Sequence, residues 1–179
     1  MVTKSLIKLI DEAIIPALFL IIGKMAGLAL AIYFANLPFT VGASEVFGFL
    51  PRVHFTDLTG YILAENYSNL AMFITASLGT IYVLVRAHFF HESHIHPKLH
   101  ARLVALSLEN LVAPSYHLYH QAAIWLTFLW LTVAFLLTST ILGVTYPLIS
   151  AAAVIVAANF SWIFVVDVQQ EIEISAIKS

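Results

Sequence analysis

Seven of the eight histidines in this chain lie between Arg86 and His120, and five of them, His88, His91, His94, His96 and His100, fall within thirteen residues. Neutral imidazole is the commonest protein ligand for transition metals. The spacings on offer are HxxHxH (His91, His94, His96), HxxxH (His96, His100) and HxxH (His117, His120). Residues three or four apart on a helix share a face, so His117 and His120, with Gln121, point together from the foot of one helix. Glu92 and Glu109 are the carboxylates close enough in sequence to join such a set. The chemistry this supports is a transition metal ion, zinc or iron, held by His91, His94, His96, His100, His117 and His120. Three other uses compete with it. Histidines belong to the aromatic belt of a membrane interface, which Tyr116, Tyr119, Trp125 and Trp130 also build; a cluster of them can act as a protonation switch; and His88, His117 and His120 approach the position of haem ligands between helices.

The second residue with chemical meaning is Lys24, which stands in the middle of an apolar run. An ammonium at that depth in a bilayer costs about 3 kcal/mol or more and needs compensation. Asp11, Glu12 and Asp167 all fall near one edge of the apolar segments, so the sequence predicts that no carboxylate shares the depth of Lys24. A polar layer of Ser77 or Thr80, Thr127 or Thr132, and Asn159 is the expected environment. The balancing negative group is then a ligand, a lipid or a neighbouring chain, unless the lysine is neutral.

These residues must be positioned by helices. The chain is 61% hydrophobic and 10% charged, with a mean hydropathy of +0.94, whereas soluble domains carry about 25% charged residues. An integral membrane protein is the class that fits. Crossing the hydrocarbon takes about 20 apolar residues, and four segments qualify, at about 13–35, 70–90, 117–142 and 147–166. The expected fold is all-α, an antiparallel four-helix transmembrane bundle forming a single domain over 1–179. A His-rich cytoplasmic connection, 88–120, includes an amphipathic surface helix that starts at Pro97 and ends before Pro114. Lys4, Lys8, Arg86, Lys98, Arg102 and Lys178 share one side against Arg52 on the other, which places both termini in the cytoplasm. No small-residue cleavage site follows the first basic residues, so the first helix is expected to be retained. The greasy connection 36–69, broken by prolines and glycines, is expected to cap the bundle at the interface. Small residues allow close helix approach; Gly23 and Gly27 on the first helix and Ala153 and Ala157 on the fourth predict that these two helices pack together, within a subunit or between subunits.

Absence of cysteine excludes disulfides and thiolate chemistry, and a net charge of −2 with scattered cations gives no footprint for nucleic acid. No nucleophile motif or phosphate-binding glycine loop is present. The leading expectation is a channel or transport component, or a subunit of a larger membrane complex, in a cytoplasmic or inner membrane. Its partners would be the lipid bilayer and either copies of itself or other membrane subunits. A His-coordinated metal-dependent membrane enzyme and a haem-bearing electron-transfer subunit are the alternatives.

Overall fold

The computed structural model describes residues 2–43, 51–90 and 95–178. The chain is predominantly helical, with α1 (Val2–Ala35), α2 (Leu58–Phe89), α3 (Pro97–Ala105), α4 (Ser115–Ile141) and α5 (Pro147–Lys178). One antiparallel hairpin, β1 (Phe39–Ala43) and β2 (Pro51–Phe55), lies between α1 and α2 with Phe39 opposite Phe55. Four helices, α1, α2, α4 and α5, are long and apolar enough to cross a membrane. α2 is central: it packs along α1 and α4 and also touches α5, which lies on α4. The end of the assembly that carries the start of α4 is called lower below, and the end that carries the α4–α5 turn is called upper.

α2 starts twelve residues before the expected 70, at Leu58, because Asp57 caps it. Asp57 is extended at φ −134° and its carboxylate accepts from the Gly60 amide at 3.2 Å, which satisfies one of the free amides of the first turn. The extra turns hold Glu65, Asn66, Ser68 and Asn69, residues whose polarity hides the helix from a hydropathy criterion. Two of them complete the α4–α5 turn. Gly143 ends α4 at φ +73°, a conformation that only glycine adopts without strain, and the chain then turns into Pro147. Asn66 accepts from the Tyr146 amide at 2.6 Å and donates to the Val144 carbonyl at 3.2 Å. Asn69 donates to the Thr145 hydroxyl at 2.7 Å. Backbone groups of a turn enclosed by helices need such partners.

The core joins α2, α4 and α5 through Met72, Phe73, Ala76, Leu126, Leu129, Val133, Leu136, Ala153 and Ala157. Ala153 and Ala157 are fully buried there. Gly23 and Gly27, however, meet α2 and not the fourth long helix. A Cβ on Gly27 would lie 2.5 Å from the Ala71 Cβ and 2.7 Å from the Tyr67 carbonyl oxygen, and one on Gly23 would lie 2.3 Å from the Thr75 hydroxyl. Within the chain, therefore, the small residues of α1 serve α2 and those of α5 serve the core. The surface helix is also shorter than expected. α3 stops at Ala105, Ser107 takes φ +56°, and a single 3-10 turn, Glu109–Leu111, leads towards α4.

Candidate functional site

Lys24 has a carboxylate partner. Its ammonium donates to Glu65 Oε2 at 2.9 Å and to Asn69 Oδ1 at 2.7 Å, and it lies 5.1 Å from the centre of the Phe135 ring. Asn69 passes the contact on to Thr145, so one chain of polar contacts links α1, α2 and the α4–α5 turn. The expectation that no acid shares the depth of Lys24 fails because Glu65 belongs to α2 and not to an outer loop. The side chains of Lys24 and Glu65 retain 32% and 25% exposure, so the pair sits at the rim of the packed helices and not in their centre. The predicted polar layer is not assembled around it. Thr127 and Asn159 each bond a carbonyl one turn back on their own helix, Ala123 and Ile155, and so do Thr80 and Thr132, to Ala76 and Phe128. The Ser77 hydroxyl is buried with no hydrogen-bond partner.

The histidines separate into distinct environments. His91 and His94 lie outside the described residues. His96 caps α3, its Nδ1 accepting from the Lys98 amide at 3.2 Å, and His100 is exposed on the same helix. His88, at the end of α2, reaches Asp167 of α5 at 2.6 Å. His117 and His120 converge, as their spacing predicts, and what they converge on is Glu12 of α1. His120 Nε2 is 3.3 Å from one carboxylate oxygen and His117 Nδ1 is 3.6 Å from the other. The Gln121 amide is 3.1 Å from His117 Nε2; when it donates there, His117 carries its proton on Nδ1, towards Glu12. Among the described residues no group of three or more His, Asp or Glu side chains is arranged to hold a metal ion.

Above this cluster opens a cavity of about 530 Å³ between the lower halves of α1, α2 and α4. Such a volume is within the range of small-molecule sites, about 300–1,000 Å³. Glu12, Arg86 and Gln121 form its lower end; Ile15, Phe19, Leu78, Tyr82, Val83, Ile124 and Trp125 form its walls, and Thr75 lies at the top. From Arg86 to Thr75 it follows α2 for about 16 Å, at a rise of about 1.5 Å per residue. Local sequence explains the shape. Gly79 leaves room for the Trp125 indole, which lies 1.9 Å from where a Cβ would be, and Phe19 meets that indole edge-on at 6.2 Å. Upward of Thr75, Gly23 and Gly27 bring α1 onto α2 and close the space. Ile15, Leu78 and Tyr82 line the cavity and are also more than half exposed, so it opens sideways through the outer surface between α1 and α2. Arg86 is tethered from the other side, its Nε donating to the Leu111 carbonyl at 2.9 Å.

The arrangement is a slot that is ionisable at one end, aromatic and aliphatic along its length, and open laterally. It can take an elongated molecule with a polar head and an apolar body. Arg86, Gly79, Trp125 and Glu12 were not singled out for this role by sequence pattern; the available signal was the i, i+4 relation of Gln121 to Trp125 on the face that also carries His117. Comparison with protein-family models, with curated proteins and with solved structures gives no match.

Proposed function

We propose that the chain is a non-enzymatic integral membrane protein, an antiparallel four-helix transmembrane bundle, that serves as a transport component or as a subunit of a larger membrane complex by holding an amphipathic molecule in the lateral cavity. The observation that carries this reading is the composition of that cavity along its axis, with Glu12, Arg86 and Gln121 at one end and Phe19, Trp125 and Leu78 further in. In a bilayer the charged end falls at the headgroup level and the walls fall in the hydrocarbon, so an amphiphile enters from the lower leaflet without leaving the membrane. Gly23 and Gly27 close the upper end of the cavity by bringing α1 onto α2. In this reading Lys24 fastens helices together, and the positive-inside count places the Glu12 end in the cytoplasm.

The test uses variants that keep one tryptophan, Trp125 or Trp162, the latter being 71% exposed on α5. Each is reconstituted in vesicles containing brominated acyl chains carried in turn on phosphatidylcholine, phosphatidylglycerol and a free fatty acid. Quenching of Trp125 by at least one of these probes is expected to saturate at low mole fraction, while Trp162 follows the bulk concentration. Leu78→Phe with Ile124→Phe, which fills the slot, is expected to remove the saturable part. If Trp125 follows the same line as Trp162 with all three probes, the cavity holds no amphiphile and the proposal is wrong.

A further inference from the structure

The surface helix α3 is left largely uncovered by the bundle, and we infer that its Lys98–Arg102–Leu106 edge docks on anionic phospholipid at the lower face of the membrane. This rests on the membrane-embedded part of the reading above and not on the cavity. The excursion that carries α3 is fixed to the foot of the bundle on both sides. The Ala113 amide donates to the Phe90 carbonyl at 3.3 Å, and Arg86 Nε donates to the Leu111 carbonyl at 2.9 Å. A helix of nine residues is about 14 Å long, so α3 stays within reach of the headgroups around the lower ends of α2 and α4. It packs mainly on the 3-10 turn that follows it and little on the long helices. So short a helix is marginal in water on its own and gains from a surface to lie on.

The composition of α3 says which surface. Between Ile95 and Leu108 the chain has two cations, Lys98 and Arg102, and no acid, although its net charge is −2. The two cations are one turn apart and share a face, and Leu106, whose amide bonds the Arg102 carbonyl at 3.1 Å, extends the same line. Both are exposed, and neither charged group has a polar partner among the described residues. With His96 and Leu99 they line a shallow depression of about 250 Å³. Leu103 is buried, whereas Leu106 and Leu108 are 67% and 44% exposed. Cations beside exposed aliphatic groups suit an interface, where ammonium and guanidinium meet phosphate oxygens and the leucine enters the acyl boundary. An acidic protein would satisfy the charges, but the exposed leucines and the tether at headgroup level favour lipid. In a zwitterionic lipid each phosphate is balanced by its own ammonium, so the net attraction comes from anionic lipids. The positive-inside count puts this end in the cytoplasm, where the leaflet is negatively charged.

The chain has no cysteine, so Leu106→Cys and His100→Cys each give one site for a nitroxide label in the full-length protein. His100 lies on the opposite side of α3 from the Lys98–Arg102 edge and is the control. Both labelled proteins are reconstituted in phosphatidylcholine alone and with about one-third phosphatidylglycerol, and retention is checked by an alkaline wash. With phosphatidylglycerol the label at 106 is expected to be immobilised and shielded from a water-soluble nickel chelate, while the label at 100 stays open to it. Lys98→Gln and Arg102→Gln should each lower the ratio of immobilised to mobile label about fivefold, the contribution of one cation near an anionic surface, and high salt should also lower it. Equal immobilisation in the two lipids overturns the proposal; if it fades as the protein is diluted with lipid, this edge belongs to a second copy. A mobile, water-exposed label in both lipids overturns it as well, with the protein still embedded. Release by the alkaline wash overturns the membrane reading itself. The comparison between lipids keeps both cations, so it decides the question even if a glutamine variant fails to fold.

Discussion

Lys24→Met is expected to destabilise the protein by about 2 kcal/mol, and adding Glu65→Gln to that variant is expected to restore most of the loss. The single change takes from Glu65 the ammonium that donates to it at 2.9 Å, and removing one member of an enclosed ion pair costs about 3–5 kcal/mol when the pair is fully buried. Lys24 and Glu65 are a quarter to a third exposed, so solvent screens part of that cost and the lower figure applies. Replacing both charges removes the stranded acid, so the double variant should fall short of additivity by about 1–2 kcal/mol. Reversible unfolding in mixed micelles measures all three. Additive effects would mean that the ammonium and carboxylate do not interact in the folded protein.

The second large effect belongs to Gly27. A leucine there is expected to cost about 3 kcal/mol, because the first carbon of its side chain already falls 2.7 Å from the Tyr67 carbonyl oxygen and 2.9 Å from the Ser68 Cα. Backbone atoms cannot rotate away, so α1 and α2 must separate. The Ser68 hydroxyl would then lose its 2.8 Å bond to the Lys24 carbonyl, and Lys24 would move off Glu65. Ala26→Leu is the control: Ala26 is the preceding residue of the same helix and faces outward, so it should change stability by less than about 0.5 kcal/mol. The same unfolding assay reads both. Equal effects at 26 and 27 would contradict the packing described for α1.

These two sites show what could be seen in the sequence and what could not. The four long apolar helices follow from composition and length, and the convergence of His117, His120 and Gln121 follows from helical spacing. The significance of Lys24 was legible too, but its partner was not. Glu65, Asn66 and Asn69 lower the mean hydropathy of their segment, so a threshold set for crossing hydrocarbon ends the helix at Leu70. The capping signal at Asp57 carries the opposite information, that the helix begins at Leu58. Polar residues that bond the α4–α5 turn are invisible as such until the turn is next to them, since Asn66 and Val144 are 78 residues apart.

The histidines teach a related lesson. Crowding in sequence suggested one centre, yet α3 carries His96 and His100 on an exposed helix while His117 and His120 face α1. Proximity along the chain is not proximity in space when a helix boundary falls between the residues. Glu12, which fixes the second pair, is over a hundred positions away and looked like an ordinary edge acid. The cavity itself depends on Gly79 and Trp125 lying at the same level of two helices, a relation that only helix register can set.

The most direct measurement is a density map of the protein in nanodiscs containing phosphatidylethanolamine and phosphatidylglycerol. The expected result is a continuous elongated feature between the lower halves of α1 and α2, starting beside Glu12 and Arg86 and ending near Thr75. A lower half in which α1 lies directly on α2, with side chains filling the space between Phe19 and Leu78, would contradict the account.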